Sequence, residues 1–314
     1  MCAPKSRVTP KSSRKLASKR NSAGRHQELT MHANVGVIGL GALGRPISEL
    51  LIKAGHRVAV YDVRAEPMAA LQAAGATACV CPAEVAQQSD IVISLVLDGA
   101  QTDAIVFGAN GMLGTLKRGA ILAIGSTLSP APVKTIAAAL AAKGIKTLDM
   151  PISGGIVAAR EGALSLMVGG APAVLERAMP VLRVFAREIT RTGDVGSGQA
   201  AKLAHQLVFA TNVMALLEGL ALGVAGGVEP AALKQVFKNG LANSTVLQVW
   251  DELGPRWKGM LKATAPGAMP PNMRKDLHLV LEFARELGVN LYLGTQASLI
   301  ADAGMATGHD SEQF

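Results

Sequence analysis

Residues 35–62 read VGVIGLGALGRPISELLIKAGHRVAVYD. An apolar run ends at Gly39-x-Gly41-x-x-Gly44, a helix follows over 43–54, and a second apolar run over 57–61 closes on Asp62, eighteen residues past Gly44. A lone glycine pattern says little. A strand before it, a helix after it and an acid at the end of the next strand form the βαβ context in which such glycines hold a dinucleotide. The glycines permit a tight turn and close approach of a pyrophosphate, and the helix start favours its charge. Gly39, Leu40, Gly41, Ala42, Leu43 and Gly44 are therefore candidate cofactor contacts. Asp62 can accept from both ribose hydroxyls, where a 2′-phosphate would meet like charge. This favours NAD, while Arg64 nearby keeps NADP possible.

The pattern continues outward from this unit. Short Val/Ile/Leu runs near 77–81, 90–96, 119–124, 145–149, 164–168 and 187–191 alternate with helical stretches, as a parallel sheet with crossover helices requires. After about residue 194 the strand signal stops, and helices are expected over 197–225, 229–239, 243–260 and 272–287, with a proline-rich loop at 262–271. The expected fold is an α/β Rossmann-type N-terminal domain followed by an all-α C-terminal domain, joined by a long interdomain helix. Its boundaries are 1–31 for a tail, 32–193 for the dinucleotide-binding domain and 194–314 for the helical domain, which would bind substrate and dimerise.

Charge is uneven along the chain. Residues 1–30 hold eight Lys or Arg against Glu28 alone, so +7 of the net +8 belongs to them and the remainder is nearly neutral. The basic balance is thus a property of a Ser-rich stretch too polar to fold, read either as a disordered leader or transit peptide, or as residues preceding a true start at Met31. With aromatics at 3% there is no stacking platform for nucleic acid, and none is expected as a partner. The most apolar helix, 200–225, is interrupted by Lys202, His205, Gln206, Asn212 and Glu218, which reads as a buried helix rather than a membrane span. Cys79 and Cys81 sit two apart in a probable strand and read as core residues in a reducing, cytoplasmic compartment. No metal site is expected.

A second anion site is suggested by PISGGIVAAREG, residues 151–162. A strand ends at Asp149, and Ser153, Gly154 and Gly155 then open a helix with bare amide groups, at the strand ends where open α/β folds bind ligands. The long helix that follows carries Lys202, with His205 and Gln206 three and four residues on and so on the same face. A lysine on an apolar helix is costly to bury unless its charge is used or its pKa falls. Beside a cationic nicotinamide it becomes a usable acid or base; the competing reading is a lysine snorkelling to the surface.

These residues resemble the β-hydroxyacid dehydrogenase family, the group of 3-hydroxyisobutyrate dehydrogenase and 2-hydroxy-3-oxopropionate reductase (tartronate semialdehyde reductase). The resemblance runs from about 34 to 310 and rests on the dinucleotide segment, GSTLSP (125–130), DMPISGGIVAAREGALSLMVGG (149–170), GSGQAAKLAHQLVFATNVMALLEGLAL (196–222) and RKDLHLVLEFARELGV (274–289), with GLANSTVL (240–247) closest to the reductases. It implies an NAD(P)-dependent oxidoreductase interconverting a small β-hydroxy acid and its semialdehyde. Lys202 would be the catalytic proton carrier, and Ser153, Gly154 and Gly155 the loop holding the substrate carboxylate. Val96, Leu97 and Thr127 would contact the cofactor, and Lys275, beside Asp276, would close over it. It also implies a homodimer or homotetramer. Where the family usually has asparagine three or four residues after the lysine, this chain has His205 and Gln206. Gln206 keeps an amide for substrate; His205 is a new donor, a pH-sensitive group or a packed helix residue.

Three alternatives are weighed against this reading. Imine reductases resemble the architecture but usually lack a lysine at position 202. A non-catalytic assembly module with the basic tail on nucleic acid would have no use for that lysine. A 6-phosphogluconate dehydrogenase would need a longer helical domain.

Overall fold

The computed structural model describes residues 32–250 and 271–306. The basic tail, most of the helix expected over 243–260 and the loop at 262–270 lie outside the described residues. Six strands form the parallel part of one sheet: β1 (Asn34–Ile38), β2 (Arg57–Tyr61), β3 (Thr77–Ala78), β4 (Ile91–Ser94), β5 (Ile121–Ile124) and β6 (Lys146–Asp149). Their spatial order is β3-β2-β1-β4-β5-β6, which puts the change of winding direction between β1 and β4. That is the crevice where dinucleotides lie in doubly wound sheets.

Alternation explains why these runs are apolar throughout. Val35, Val37, Ile91, Ile93, Ile121 and Ala123 face a core shared with helices α1 (Gly44–Lys53), α2 (Ala65–Ala73) and α7 (Pro172–Leu182). Ile38, Val92, Leu122 and Ile124 face the other side and meet α3 (Pro82–Gln88), α4 (Gly99–Phe107) and α5 (Pro130–Ala142). A parallel sheet covered on both faces leaves no polar row to read.

Beyond β6 the sheet departs from the expected parallel alternation. A two-residue strand, β7 (Ile152–Ser153), and a short helix, α6 (Gly155–Arg160), turn the chain back. Strand β8 (Leu164–Gly169) thus enters antiparallel to both β6 and β7, and β9 (Ala186–Gly193) runs parallel to β8. The reversal follows from the connection: a six-residue helix is too short to cross the sheet and return the chain in parallel. The core reading of the cysteines holds for Cys79 and changes for Cys81, which is half-buried. β3 stops at Ala78, Cys79 is buried after it, and Cys81 precedes α3, so the pair does not share a strand face. Burial pushes the Cys79 thiol up to about 11, which leaves it inert.

The helical part is α8 (Ser197–Ala225), α9 (Pro230–Asn239), α10 (Thr245–Gln248), α11 (Pro271–Leu287) and α12 (Tyr292–Ala306). Its core joins Val213, Leu216 and Leu220 of α8 to Leu233, Val246, Trp250, Met273, Leu277 and Ala297. By length and composition α8 could cross a membrane, yet one of its faces lies in this core and over the sheet. The expectation of a buried helix holds for that face only, because Val208 and Leu222 are exposed (57% and 77%).

α8 is fastened to the sheet by one carboxylate. Asp149, at the end of β6 and fully buried, accepts from the Gly196 amide at 2.7 Å (Oδ1) and the Gln199 amide at 2.8 Å (Oδ2). Burial raises its pKa against the pull of these bonds. The approach is close enough to require glycine at two positions. A Cβ on Gly198 would come within 2.8 Å of Asp149 Oδ2 and 2.5 Å of Met167 O, and one on Gly169 would collide with Asp149 Oδ1. Asp149→Asn faces one of the two amides with an NH2 group. It is expected to cost about 1–3 kcal/mol of stability, seen as a lowered Tm in thermal unfolding.

Candidate active site

The dinucleotide turn is built by steric exclusion on the protein side and open space on the other. Gly39 has φ of +91°, donates to Tyr61 O at 3.0 Å, and a Cβ there would lie 2.6 Å from Leu95 O. A Cβ on Gly44 would strike Gly39 O. Gly41 differs: its φ is not positive and a Cβ would meet no protein atom within 4 Å. Nothing in the protein itself requires glycine there, and the position opens onto free space at the start of α1. Leu40 gives its amide to Asp62 Oδ2 at 2.7 Å, while the amides of Gly41, Ala42 and Leu43 have no protein acceptor among the described residues.

Asp62 is buried at the end of β2 and spanned by Arg64, whose Nε and Nη2 lie 3.0 and 3.1 Å from its two oxygens. Burial alone would raise its pKa, but the bonds from Arg64 and from the Leu40 amide outweigh that and hold it below the ordinary carboxylate value. The Arg64 side chain is 60% exposed, so a cation stands at the surface beside the buried Asp62 carboxylate.

Val96 and Leu97 lie just past β4, with the Val96 amide close against Gly39, and Thr127 lies past β5. Ser126 donates to Val96 O, tying the two loops together. The loop of Thr127 is held from both sides. Gln199, fully buried on α8, donates to Ser126 O at 2.8 Å and accepts from the Leu128 amide at 2.9 Å. From α11, Lys275 Nζ donates to Thr127 O at 2.9 Å and lies 2.9 Å from Asp276 Oδ1. Neither Gln199 nor Asp276 stood among the sequence candidates. The first was legible in principle, since Gln199, Lys202 and Gln206 form a polar stripe at i, i+3 and i+7 on an otherwise apolar helix.

That stripe is buried. Lys202 is 6% exposed, and loss of water drives its pKa down to about 8; the charge of Asp276 opposes the shift and that of Lys275 adds to it. The surface-snorkelling reading does not describe this side chain. Gln206 donates to Asp276 Oδ2 at 2.7 Å and faces His205 Nδ1 through Oε1 at 3.1 Å. His205 Nε2 lies 3.3 Å from Ser153 Oγ. Ser153, His205, Gln206, Asp276, Lys275 and Thr127 thus come from four separate segments into one bonded group, and Lys202 feels the charges of Asp276 and Lys275 within it. The corner differs in detail from the expected helix start: Ser153 ends β7, Gly154 with φ of +123° makes the turn, and Gly155 is the first residue of α6. A cavity of about 460 Å³ lies beside His205, lined also by Val208, Phe209, Asn212 and Val246.

A glycine turn between β1 and α1 with an acid past β2, and a desolvated lysine on α8, are the site features to set beside known proteins. Residues 34–193 match the NAD-binding domain of 6-phosphogluconate dehydrogenase, and 196–314 the NAD-binding family of NADP-dependent 3-hydroxyisobutyrate dehydrogenase. Among curated relatives, the 2-hydroxy-3-oxopropionate reductase of Escherichia coli K12 is 36% identical over 82% of this chain and 86% of its own length. The 3-hydroxyisobutyrate dehydrogenase of Pseudomonas aeruginosa is 33% identical over 84% and 89%. The solved 3-hydroxyisobutyrate dehydrogenase of Salmonella typhimurium superposes with a TM-score of 0.75 at 29% identity, covering 88% of this chain and 95% of that one. The chain belongs to the β-hydroxyacid dehydrogenase family. It is an oxidoreductase acting on the CH–OH group of a hydroxy acid, with NAD or NADP as cofactor. A Streptomyces aurantiacus imine reductase shares the fold at 19% identity (TM-score 0.61, covering 88% of this chain and 96% of that one).

The empty space at Gly41 separates folding from binding. Gly41→Ala should leave the Tm of the cofactor-free protein within about 1 °C while weakening NADH binding, followed by fluorescence titration, at least tenfold. Gly39→Ala, strained at positive φ, should lower both.

Proposed function

We propose that the protein oxidises a small β-hydroxy acid to its semialdehyde, or runs the reverse reduction, in the manner of 3-hydroxyisobutyrate dehydrogenase or 2-hydroxy-3-oxopropionate reductase. The observation that carries this reading is Lys202: a lysine buried at the strand ends with a pKa near 8, on the helix face that also holds Gln199 and Gln206. Bound here, the cofactor supplies or accepts the hydride at the substrate's β-carbon. The chain's own residues do the rest. The Ser153–Gly155 corner receives the substrate with its carboxylate on the turn's backbone amides, Gln206 binds a substrate oxygen, and Lys202 Nζ takes the hydroxyl proton in oxidation or returns it to the carbonyl oxygen in reduction.

On the cofactor side we assign the amides of Gly41, Ala42 and Leu43 to the pyrophosphate and Asp62 to the ribose, with Val96, Leu97 and Thr127 along the nicotinamide half. Lys275 holds Thr127 in place from α11. Asp62 makes NAD the preferred cofactor, and Arg64 makes NADP usable. We read residues 32–193 as the cofactor-binding domain and 194–314 as the domain that completes the substrate site. Two copies would cover the apolar exposed face of α8, as Val208 and Leu222 suggest. The free, buried Cys79 and the metabolic relatives fit a cytoplasmic setting.

Lys202→Ala should lower kcat by about 10²–10⁴ with little change in cofactor affinity. Near-normal turnover in that variant would end the mechanism. In wild type the sign of the pH dependence follows from the lysine. Oxidation needs it neutral, so kcat/KM should rise through a pKa near 8 and level off; reduction needs it protonated and should fall over the same range.

A further inference from the structure

His205 does not merely stand near Ser153; the bonds around it fix which of the two donates. The chain of contacts is settled from its far end. Asp276 is a carboxylate paired with Lys275 at 2.9 Å and can only accept, so the Gln206 amide must turn its NH2 group toward Asp276 Oδ2 at 2.7 Å. That points Gln206 Oε1 at His205 Nδ1, 3.1 Å away, and an oxygen there requires Nδ1 to carry the proton. In the neutral ring Nε2 is then a bare acceptor, and the only hydrogen bond it can make with Ser153 Oγ, at 3.3 Å, is one in which the serine hydroxyl donates. The serine proton is therefore committed to the histidine. What Ser153 shows the substrate is a pair of lone pairs, and lone pairs do not hold a carboxylate.

We propose that His205 is a positioning residue that turns Ser153 into a hydrogen-bond acceptor, so that the preferred substrates are β-hydroxy acids bearing a donor, a hydroxyl or an ammonium, on the α-carbon. The carboxylate itself would rest on the amides of the Gly154–Gly155 turn. An α-methyl group would leave the Oγ lone pairs unpaired in a half-buried site, whereas an α-hydroxyl or α-ammonium satisfies them. This rests on the Ser153–Gly155 corner being the substrate site, as proposed above. Burial and the positive charge of Lys202 both lower the pKa of His205, against a smaller opposing effect of its bond to Gln206, so the ring is neutral where the enzyme would work.

Among the described residues, the charge that acts on His205 is Lys202 on its own helix, with Lys275 and Asp276 of α11 acting in turn on Lys202; Thr245 and Val246 of α10, beside the shared cavity, bring none. Lys202, Lys275 and Asp276 act alike on any β-hydroxy acid. A ratio of two substrates therefore cancels them and isolates His205.

Glycerate and 3-hydroxyisobutyrate differ only by an α-hydroxyl in place of an α-methyl, and initial rates with NAD compare them directly. Wild type is expected to favour glycerate in kcat/KM by about tenfold, the worth of one well-placed hydrogen bond. His205→Asn can offer Ser153 an NH2 donor and free its proton, so it should reduce that ratio about five- to tenfold by raising KM for glycerate rather than by lowering kcat for both acids. Lowering the pH through the titration of His205 should reduce the wild-type ratio in the same sense, because the protonated ring donates to Oγ. Competitive inhibition of wild type by lactate and by isobutyrate, the same pair without the reacting hydroxyl, gives a reading independent of whether the variant folds; lactate should bind about five- to tenfold tighter. Equal inhibition by the two, or a ratio at or below one in wild type, or a pH-independent ratio unchanged in His205→Asn, would overturn the proposal while leaving Lys202 chemistry standing. Failure of wild type to turn over either acid would instead overturn the reading of the site itself.

Discussion

Two hydrogen bonds from backbone amides to the Asp149 carboxylate set the geometry of this molecule's working parts. They join the last residue of β6 to the first turn of α8, and everything chemical is measured from that joint. Helix starts leave amide groups unsatisfied, and a buried carboxylate is one of the strongest acceptors available to them. Burying it is unfavourable in itself, which is why its pKa rises; the two amides offset that cost and in return α8 acquires a fixed origin and direction. The glycines at 169 and 198 exist to let the joint close. From that origin Gln199 reaches the loop after β5, Lys202 sits one turn further along, and Gln206 one turn beyond that.

Much of this was legible before any coordinates, and the boundary of what was legible is physical. The first βαβ unit announces itself because three glycines, a helix start and a terminal acid are all local in sequence and all demanded by the same ligand. Lys202, His205 and Gln206 could be placed on one face because helical spacing is rigid. β7 could not be foreseen, since two residues are too few to show a period, and with it the antiparallel entry of β8 was lost. The role of Asp149 was hidden for a different reason. It bonds to backbone amides, and no side-chain pattern records a backbone partner forty-seven residues away. Cys79 is in the core as expected, but neither it nor Cys81 lies in a strand, because an apolar run does not say where a strand stops.

Desolvation is the common currency of the site. Lys202, Gln199, Gln206 and Asp276 are all withdrawn from water, and among the described residues each is matched to a partner except the lysine, whose charge is left to the balance between Asp276 and Lys275. An unmatched amine in such surroundings stays close to neutrality, the state a proton carrier must be able to enter and leave. The Asp276 carboxylate keeps that balance from tipping fully toward the neutral form. One residue of α11 thus tempers the lysine, orients the Gln206 amide and pairs with Lys275, the side chain that steadies Thr127.

The stripe on α8 has a consequence for how this protein can change. Its members are related by helical phase, so exchanging one for another alters chemistry at a single point while the rest keep their places. Inserting or deleting one residue between Gln199 and Gln206 is a different event, because each residue advances the helix by about 100°. A single-residue deletion there would carry Lys202 toward the exposed side where Val208 now stands, and an insertion would turn it to the direction of buried Leu203; either separates it from the loop that Gln199 grips. A change of length in this turn of α8 thus moves every member of the stripe at once, whereas a substitution touches one.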